Sequence, residues 1–186
     1  MTKKAATPGA SFDWAILDNY GIDFSTWPPD VRSFFSPRDT CVPLVLEQLI
    51  GSARESVKVN MYGFDDPKLD GILHSKAAQE GFCFQMSLDR SQAGGVHEKA
   101  LVAPWAQSLG TTVAVGTSIK SAISHLKVAI VDGLYVISGS TNWSVSGETL
   151  QDNELVIHRN AAIAARYGAI LDMNHAAMLA QMAKRK

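Results

Sequence analysis

The segment VAIVDGLYVI, Val128 to Ile137, constrains the fold of this chain more than any other stretch. Asp-Gly supplies two adjacent residues that tolerate positive φ, and the runs on either side are apolar. That is the pattern of two antiparallel strands closed by a tight turn. A two-residue turn at Asp132-Gly133 sets Val131 opposite Leu134. The register then runs back through Ile130 with Tyr135 and Val128 with Ile137 to Lys127 with Ser138 and His125 with Ser140. Opposed residues share a face of the sheet, as do residues two apart. The spacing therefore predicts that His125, Lys127, Ser138, Ser140 and Asn142 gather on one face at one end of the hairpin.

The rest of the chain alternates helical and extended patterns. Leu46, Leu49, Ile50 and Ala53 recur at helical spacing after Pro43, and Val57, Val59 and Met61 alternate as in a strand. Leu69, Ile72, Leu73 and Ala77 mark a second helix, with Gly81 expected at its C-cap. Phe82, Phe84, Met86 and Leu88 alternate next, a third helix is expected over His97 to Leu109, and TTVAV reads as a short strand. After the hairpin come strand ELVIH and a long helix capped by Asn160, with Ile163, Tyr167, Ile170, Leu171 and Met178 as its apolar stripe. The order predicts an α/β fold, a mixed β-sheet flanked by helices on both faces in α-β-α layers, over residues 31–186. Residues 1–30 are turn-rich and carry Trp14, Phe24 and Trp27, so they are expected to form an arm packed on that domain.

Composition removes several classes. With 46% hydrophobic and 19% charged residues in 186, the chain reads as one soluble globular domain. The net charge of -1 gives no overall pull toward polyanions, so any such site must be local. Cys41 and Cys83 form no CxxC pair, which argues against disulfide scaffolds and zinc fingers. MTKKAATPGASFDW has no apolar core of a secretion signal, and no apolar run reaches membrane-spanning length, so the expected location is cytoplasmic.

The expected cluster has a definite chemical character. Lys127 brings a positive charge, Ser140 and Asn142 bring neutral donors, and His125 can act as nucleophile or proton carrier near neutral pH. Without a carboxylate, that set suits an anionic tetrahedral group, phosphate, and does not suit a hard metal ion, which wants several oxygen ligands. Asp132 lies five residues beyond Lys127, roughly 17 Å along an extended strand. It reads as a residue that forms and orients the turn.

These residues carry a resemblance to the phospholipase D superfamily. Its signature is His-x-Lys, four residues, Asp, six residues, then Gly-Ser-x-Asn. It is matched without a gap by His125, Lys127, Asp132, Gly139, Ser140 and Asn142. Trp143-Ser144 and Asn153-Glu154 continue the pattern, and FFSPRD with VKVNMYGFDDPKLDGIL resembles the opening of the family's domain. The chain holds one copy of the motif and so is similar to the small bacterial non-specific endonucleases of that superfamily, which build one site from two subunits.

The resemblance implies a homodimer. In it, His125 is nucleophile in one copy and general acid and base in the other. Lys127, Ser140 and Asn142 hold the phosphate oxygens, and Glu154 accepts a hydrogen bond from the other ring nitrogen of His125. No metal or other cofactor is implied. His97, His74, His158 and His175 are in-chain candidates for the second histidine.

Three functions fit this pattern. The first is a metal-independent nuclease acting on DNA or RNA. The second is a phospholipid hydrolase acting on cardiolipin- or phosphatidyl-type substrates. The third is a nucleic-acid-binding module without turnover. Trp143 and Tyr62 are candidates to stack on a base, and Lys58, Arg90, Lys99 and Lys120 to guide a nucleic-acid backbone past the site.

Overall fold

Apolar alternation becomes a mixed sheet in the computed structural model, which describes residues 12–93 and 103–185. Seven strands are present among the described residues: β1 (Val31–Ser36), β2 (Ser56–Met61), β3 (Cys83–Asp89), β4 (Val113–Gly116), β5 (Lys127–Val131), β6 (Tyr135–Gly139) and β7 (Asn153–Arg159). They lie in the order β1-β7-β6-β5-β2-β3-β4. Pairing is parallel for β2–β3–β4 and antiparallel elsewhere.

Each face of the sheet has its own helical layer. On one side, α1 (Val42–Gly51) and α2 (Pro67–Ala77) bury Val45, Leu46, Leu49, Leu69 and Leu73 against Val57, Val59, Ala129 and Ile137. Proline sits in the first turn of both helices, where its missing N–H costs nothing. Asp66 caps α2 by accepting from the N–H groups of Lys68 and Leu69. On the other side lies the C-terminal helix, Ala161–Ala183, started by Asn160, whose Oδ1 accepts from Ala162 and Ile163. It closes over Val128, Ile130 and Val136. A 3-10 helix at Trp14–Tyr20 buries Trp14 and Leu17 in the first layer, with Trp14 stacked on Tyr135 and Arg32 over both Trp14 and Phe24.

Four local expectations change. Asp132 and Gly133 do take positive φ, 51° and 61°, and the Leu134 N–H donates to Val131 O at 3.1 Å. Leu134, however, is an extra residue: its carbonyl accepts from Asn160 N at 2.9 Å, and pairing resumes only at Tyr135 with Val131. The register slips by one, so Ser138 falls opposite Val128, on the face of the C-terminal helix, and not opposite Lys127. Helix α2 ends at Ala77, ahead of Gly81, which turns with φ 79° outside it. Of the predicted stripe, Leu171 and Met178 are buried together with Ala164 and His175, while Ile170 is exposed. Of the expected third helix, residues 97–102 lie outside the described residues, and Ala103–Trp105 form a single 3-10 turn.

The Asp132 carboxylate is fully used at this turn. It accepts from the N–H groups of Arg54, Glu55 and Ser56 at 2.9–3.1 Å and so ties the hairpin to the start of β2. It lies at the end of β5 opposite His125. Asp132→Ala leaves three N–H groups without that partner and should cost about 1–3 kcal/mol in urea unfolding. Asp132→Asn, which keeps one acceptor oxygen and tolerates positive φ, should lose less than half as much.

Candidate active site

Strand β5 enters the sheet beside the end of β2. Lys127 pairs with Met61, and the Tyr62 N–H extends the ladder by donating to Leu126 O at 2.8 Å. His125 stands just outside β5 with its side chain exposed. The residue before it is clamped from inside: Ser124 N–H donates to the buried Asp89 carboxylate at 2.6 Å, and Asn60 Nδ2 donates to Ser124 Oγ at 3.1 Å. Asp89 also receives the Ser91 N–H and hydroxyl, and Asn60 Oδ1 receives Asn174 Nδ2. The chain direction at His125 is therefore fixed by a buried polar network running from the end of β3 to the C-terminal helix.

Lys127 lies behind His125 and is only 6% exposed. Its Nζ donates to His125 O at 3.1 Å and sits 4.8 Å over the Tyr62 ring. Burial pulls its pKa down. Among the described residues no carboxylate comes within ion-pair distance of this ammonium.

The second half of the motif reaches the site through a sharp exit from β6. Gly139 has φ 139°, and a Cβ there would run into the Glu154 carbonyl. That carbonyl is a hub, accepting from Ser140 N at 3.0 Å, Thr141 N at 3.3 Å and Thr141 Oγ1 at 2.9 Å. Ser140 Oγ donates to Asn153 Oδ1 and accepts from Glu154 N, both at 3.0 Å. Asn142 Oδ1 accepts from Gly63 N at 3.1 Å, and Trp143 N donates to Gly63 O at 3.0 Å. A side chain on Gly63 would meet the Asn142 amide at 3.2 Å, so the segments after β2 and β6 pack closely here. Tyr62 and Gly63 thus form the seam: Tyr62 touches His125 and Lys127, and Gly63 holds Asn142.

Two expected contacts do not form. The Glu154 carboxylate does not reach His125; among the described residues its hydrogen bond is from Ser33 Oγ at 3.4 Å. The alternation of β7 sends that side chain to the face where Ser33 of β1 lies. Trp143 is 1% exposed and packs edge-on against Phe64, so its indole offers no open face to a substrate. The other histidines are engaged elsewhere or lie outside the description. His74 stacks on Trp105 at 3.6 Å, His175 Nδ1 and Nε2 lie 3.0 Å from Ser87 Oγ and Thr111 O, His158 sits within β7, and residue 97 is outside the described residues, as is 99. Of the proposed guiding cations, Lys58 is tied to Asp172 at 2.6 and 2.8 Å.

A cleft of about 510 Å³ opens beside Ser140, lined in part by Phe35, Arg38, Asp39, Asp152 and Glu154. Phe35 is 47% exposed there because strand alternation gives the core to Phe34. Among the described residues no three His, Cys, Asp or Glu side chains are grouped so as to hold a metal ion. No helix among them is long and apolar enough to cross a membrane.

One residue near the site has no signal in the sequence. Glu148, in the short helix Val145–Thr149 that follows the motif, is 1% exposed, and among the described residues neither carboxylate oxygen has a hydrogen-bond partner. Burial first, then the neighbouring Asp66 carboxylate, with Glu47 and Asp65 adding, push its pKa to about 9. Only a fold-level count of neighbours reveals this, since Ser144 and Glu148 alone read as an ordinary capped turn. The protonated form favours the folded state. That stability is complete below the unfolded pKa of 4.5 and is lost as pH rises toward about 9. Glu148→Gln should therefore raise the melting temperature at pH 8 and flatten its decline between pH 5 and 9, measured by circular dichroism against wild type.

Comparison with known proteins follows the same lines. Residues 46–174 match the family model described as cardiolipin synthase, PLD-like domain. Curated proteins named phospholipase D from Rickettsia bellii (strain RML369-C) and Rickettsia prowazekii (strain Madrid E) are each 28% identical over 74% of this chain. The chain spans 65% and 64% of their lengths, just under two thirds. Among solved structures, Nuc from Salmonella typhimurium, a phospholipase D family member, superposes with TM-score 0.67 at 23% identity, covering 79% of this chain and 94% of that one. NucT from Helicobacter pylori gives TM-score 0.67 at 21% identity, covering 77% and 94%. Both share the fold.

Proposed function

The chain belongs to the phospholipase D superfamily, and from that membership we propose that it is a metal-independent phosphodiesterase acting on nucleic acid through a phosphohistidine. The observation that carries the reading is the buried Lys127 ammonium without a carboxylate counter-charge among the described residues, directly behind an exposed His125. A buried cation is costly unless an anion pairs with it. A phosphodiester bound at this rim supplies that anion and brings phosphorus to the imidazole.

The chemistry balances in two steps. A ring nitrogen of His125 forms a bond to phosphorus as one P–O ester bond breaks, and a second imidazole gives its proton to the leaving alcohol oxygen. Water, deprotonated by that second imidazole, then attacks phosphorus, and the N–P bond breaks. Lys127, Ser140 and Asn142 hold the non-bridging oxygens as charge builds on them. The second imidazole is His125 of a second copy, so the working unit is a homodimer with the two rings facing across one site. In this reading Glu154 reaches an imidazole only in the dimer. The nucleic-acid substrate rests on the resemblance of the single-copy motif, His125 to Asn142, to that of the small bacterial non-specific endonucleases. The names of the Rickettsia relatives favour a second reading, hydrolysis of a phospholipid diester at the same site.

Cleavage of supercoiled plasmid and single-stranded DNA in excess EDTA should proceed with wild type and fall at least about 10³-fold in His125→Ala. The protein should run as a dimer by light scattering at micromolar concentration. Undiminished cutting by His125→Ala would sink the mechanism. Headgroup release from phosphatidyl or cardiolipin vesicles with DNA left intact would replace the nucleic-acid substrate by lipid.

A further inference from the structure

We infer that Tyr62 is the positioning residue of this site: its ring fixes the His125 imidazole and the Lys127 ammonium relative to each other. The inference rests on the phosphodiesterase reading above and adds a residue that lies outside the motif.

Three contacts converge on one aromatic ring. The His125 ring lies 4.6 Å away between centroids at 64°, an edge-to-face arrangement. The Lys127 Nζ lies 4.8 Å over the ring, within cation–π range. Gln92 Nε2 donates to the Tyr62 hydroxyl at 3.0 Å, which ties the outer end of the side chain to the turn at Arg90–Ala93. The main chain is held as well, by the Tyr62 N–H to Leu126 O.

The need for such a contact follows from the exposure of His125. A histidine at a strand entry, with no hydrogen bond to its ring among the described residues, is free to rotate about χ1 and χ2. Attack on phosphorus requires one ring nitrogen in line, and a pre-oriented group carries that ordering before substrate arrives. The Asp89–Ser124 clamp sets the backbone of His125 but not its ring. Among the described residues Tyr62 is the aromatic side chain that packs on the ring, and through Lys127 it also sets where the phosphate oxygens are drawn.

Turnover of bis(p-nitrophenyl) phosphate separates this from a purely structural role. Tyr62→Leu should lower kcat at least about 30-fold with KM within about threefold, and Tyr62→Phe, which keeps the ring, should restore kcat to within about threefold of wild type. His125→Ala serves as the reference. If it is inactive while Tyr62→Leu turns over like wild type, the positioning role is overturned and the reaction stands. If His125→Ala is itself active, the reaction fails first. Loss of activity in Tyr62→Phe equal to that in Tyr62→Leu also overturns the role of the ring. A second measurement needs neither substrate nor a folded Leu variant. In wild type and Tyr62→Phe, the NMR signals of the His125 ring protons should be displaced by the neighbouring aromatic ring. Values of a free imidazole would overturn the contact.

Discussion

The antiparallel pairing of β5 with β2 is the constraint on which the site depends. It sets Lys127 beside Met61, the last residue of β2, and so makes the next residues, Tyr62 and Gly63, common ground for both halves of the motif. The His-Lys half touches Tyr62, and the Ser-Asn half hangs from Gly63 through Asn142 and Trp143. Neither half is placed by the β5–β6 hairpin alone. The sheet beneath them is buried on both faces, which makes the relation between the two strands stiff.

Charge is distributed with the same economy. The fold buries one cation, Lys127, without an anionic partner among the described residues, and the proposal that the site binds a phosphodiester rests on that. It also buries Glu148 close by in the chain, where a proton takes the place of a cation. Asp89 is buried too, but three neutral donors from Ser91 and Ser124 satisfy it. These are three different ways of tolerating a buried ionisable group: an external ligand, a proton, and hydrogen bonds. Only the first leaves a charge unpaired among the described residues.

Much of this was legible in the sequence, and the failures have physical causes. The strands of the hairpin, the caps at Asn160 and the apolar faces of α1 and α2 follow from local pattern, because period and capping chemistry act over a few residues. The register of the hairpin does not. Asp-Gly fixes the turn, but the diversion of the Leu134 carbonyl to Asn160 depends on a residue 26 positions away. The second half of the motif is placed by a route the hairpin register does not show, through the Gly139 turn and the Glu154 carbonyl, and Ser138 leaves the expected face. A main-chain oxygen carries no sequence signature, and the Glu154 side chain, which does, points to Ser33. Trp143 and Tyr62 look alike in the sequence as base-stacking candidates; burial assigns Trp143 to the core, and Tyr62 packs against the ring of His125.

The central claim is that His125 is the group that attacks phosphorus. Acid-free trapping tests it directly: wild type is mixed with bis(p-nitrophenyl) phosphate for a fraction of a turnover, quenched in base, digested and read by mass spectrometry. The account predicts an acid-labile nitrophenylphosphoryl adduct on the peptide that holds His125, absent in His125→Ala. An adduct on another residue, with the His125 peptide unmodified throughout turnover, would contradict it.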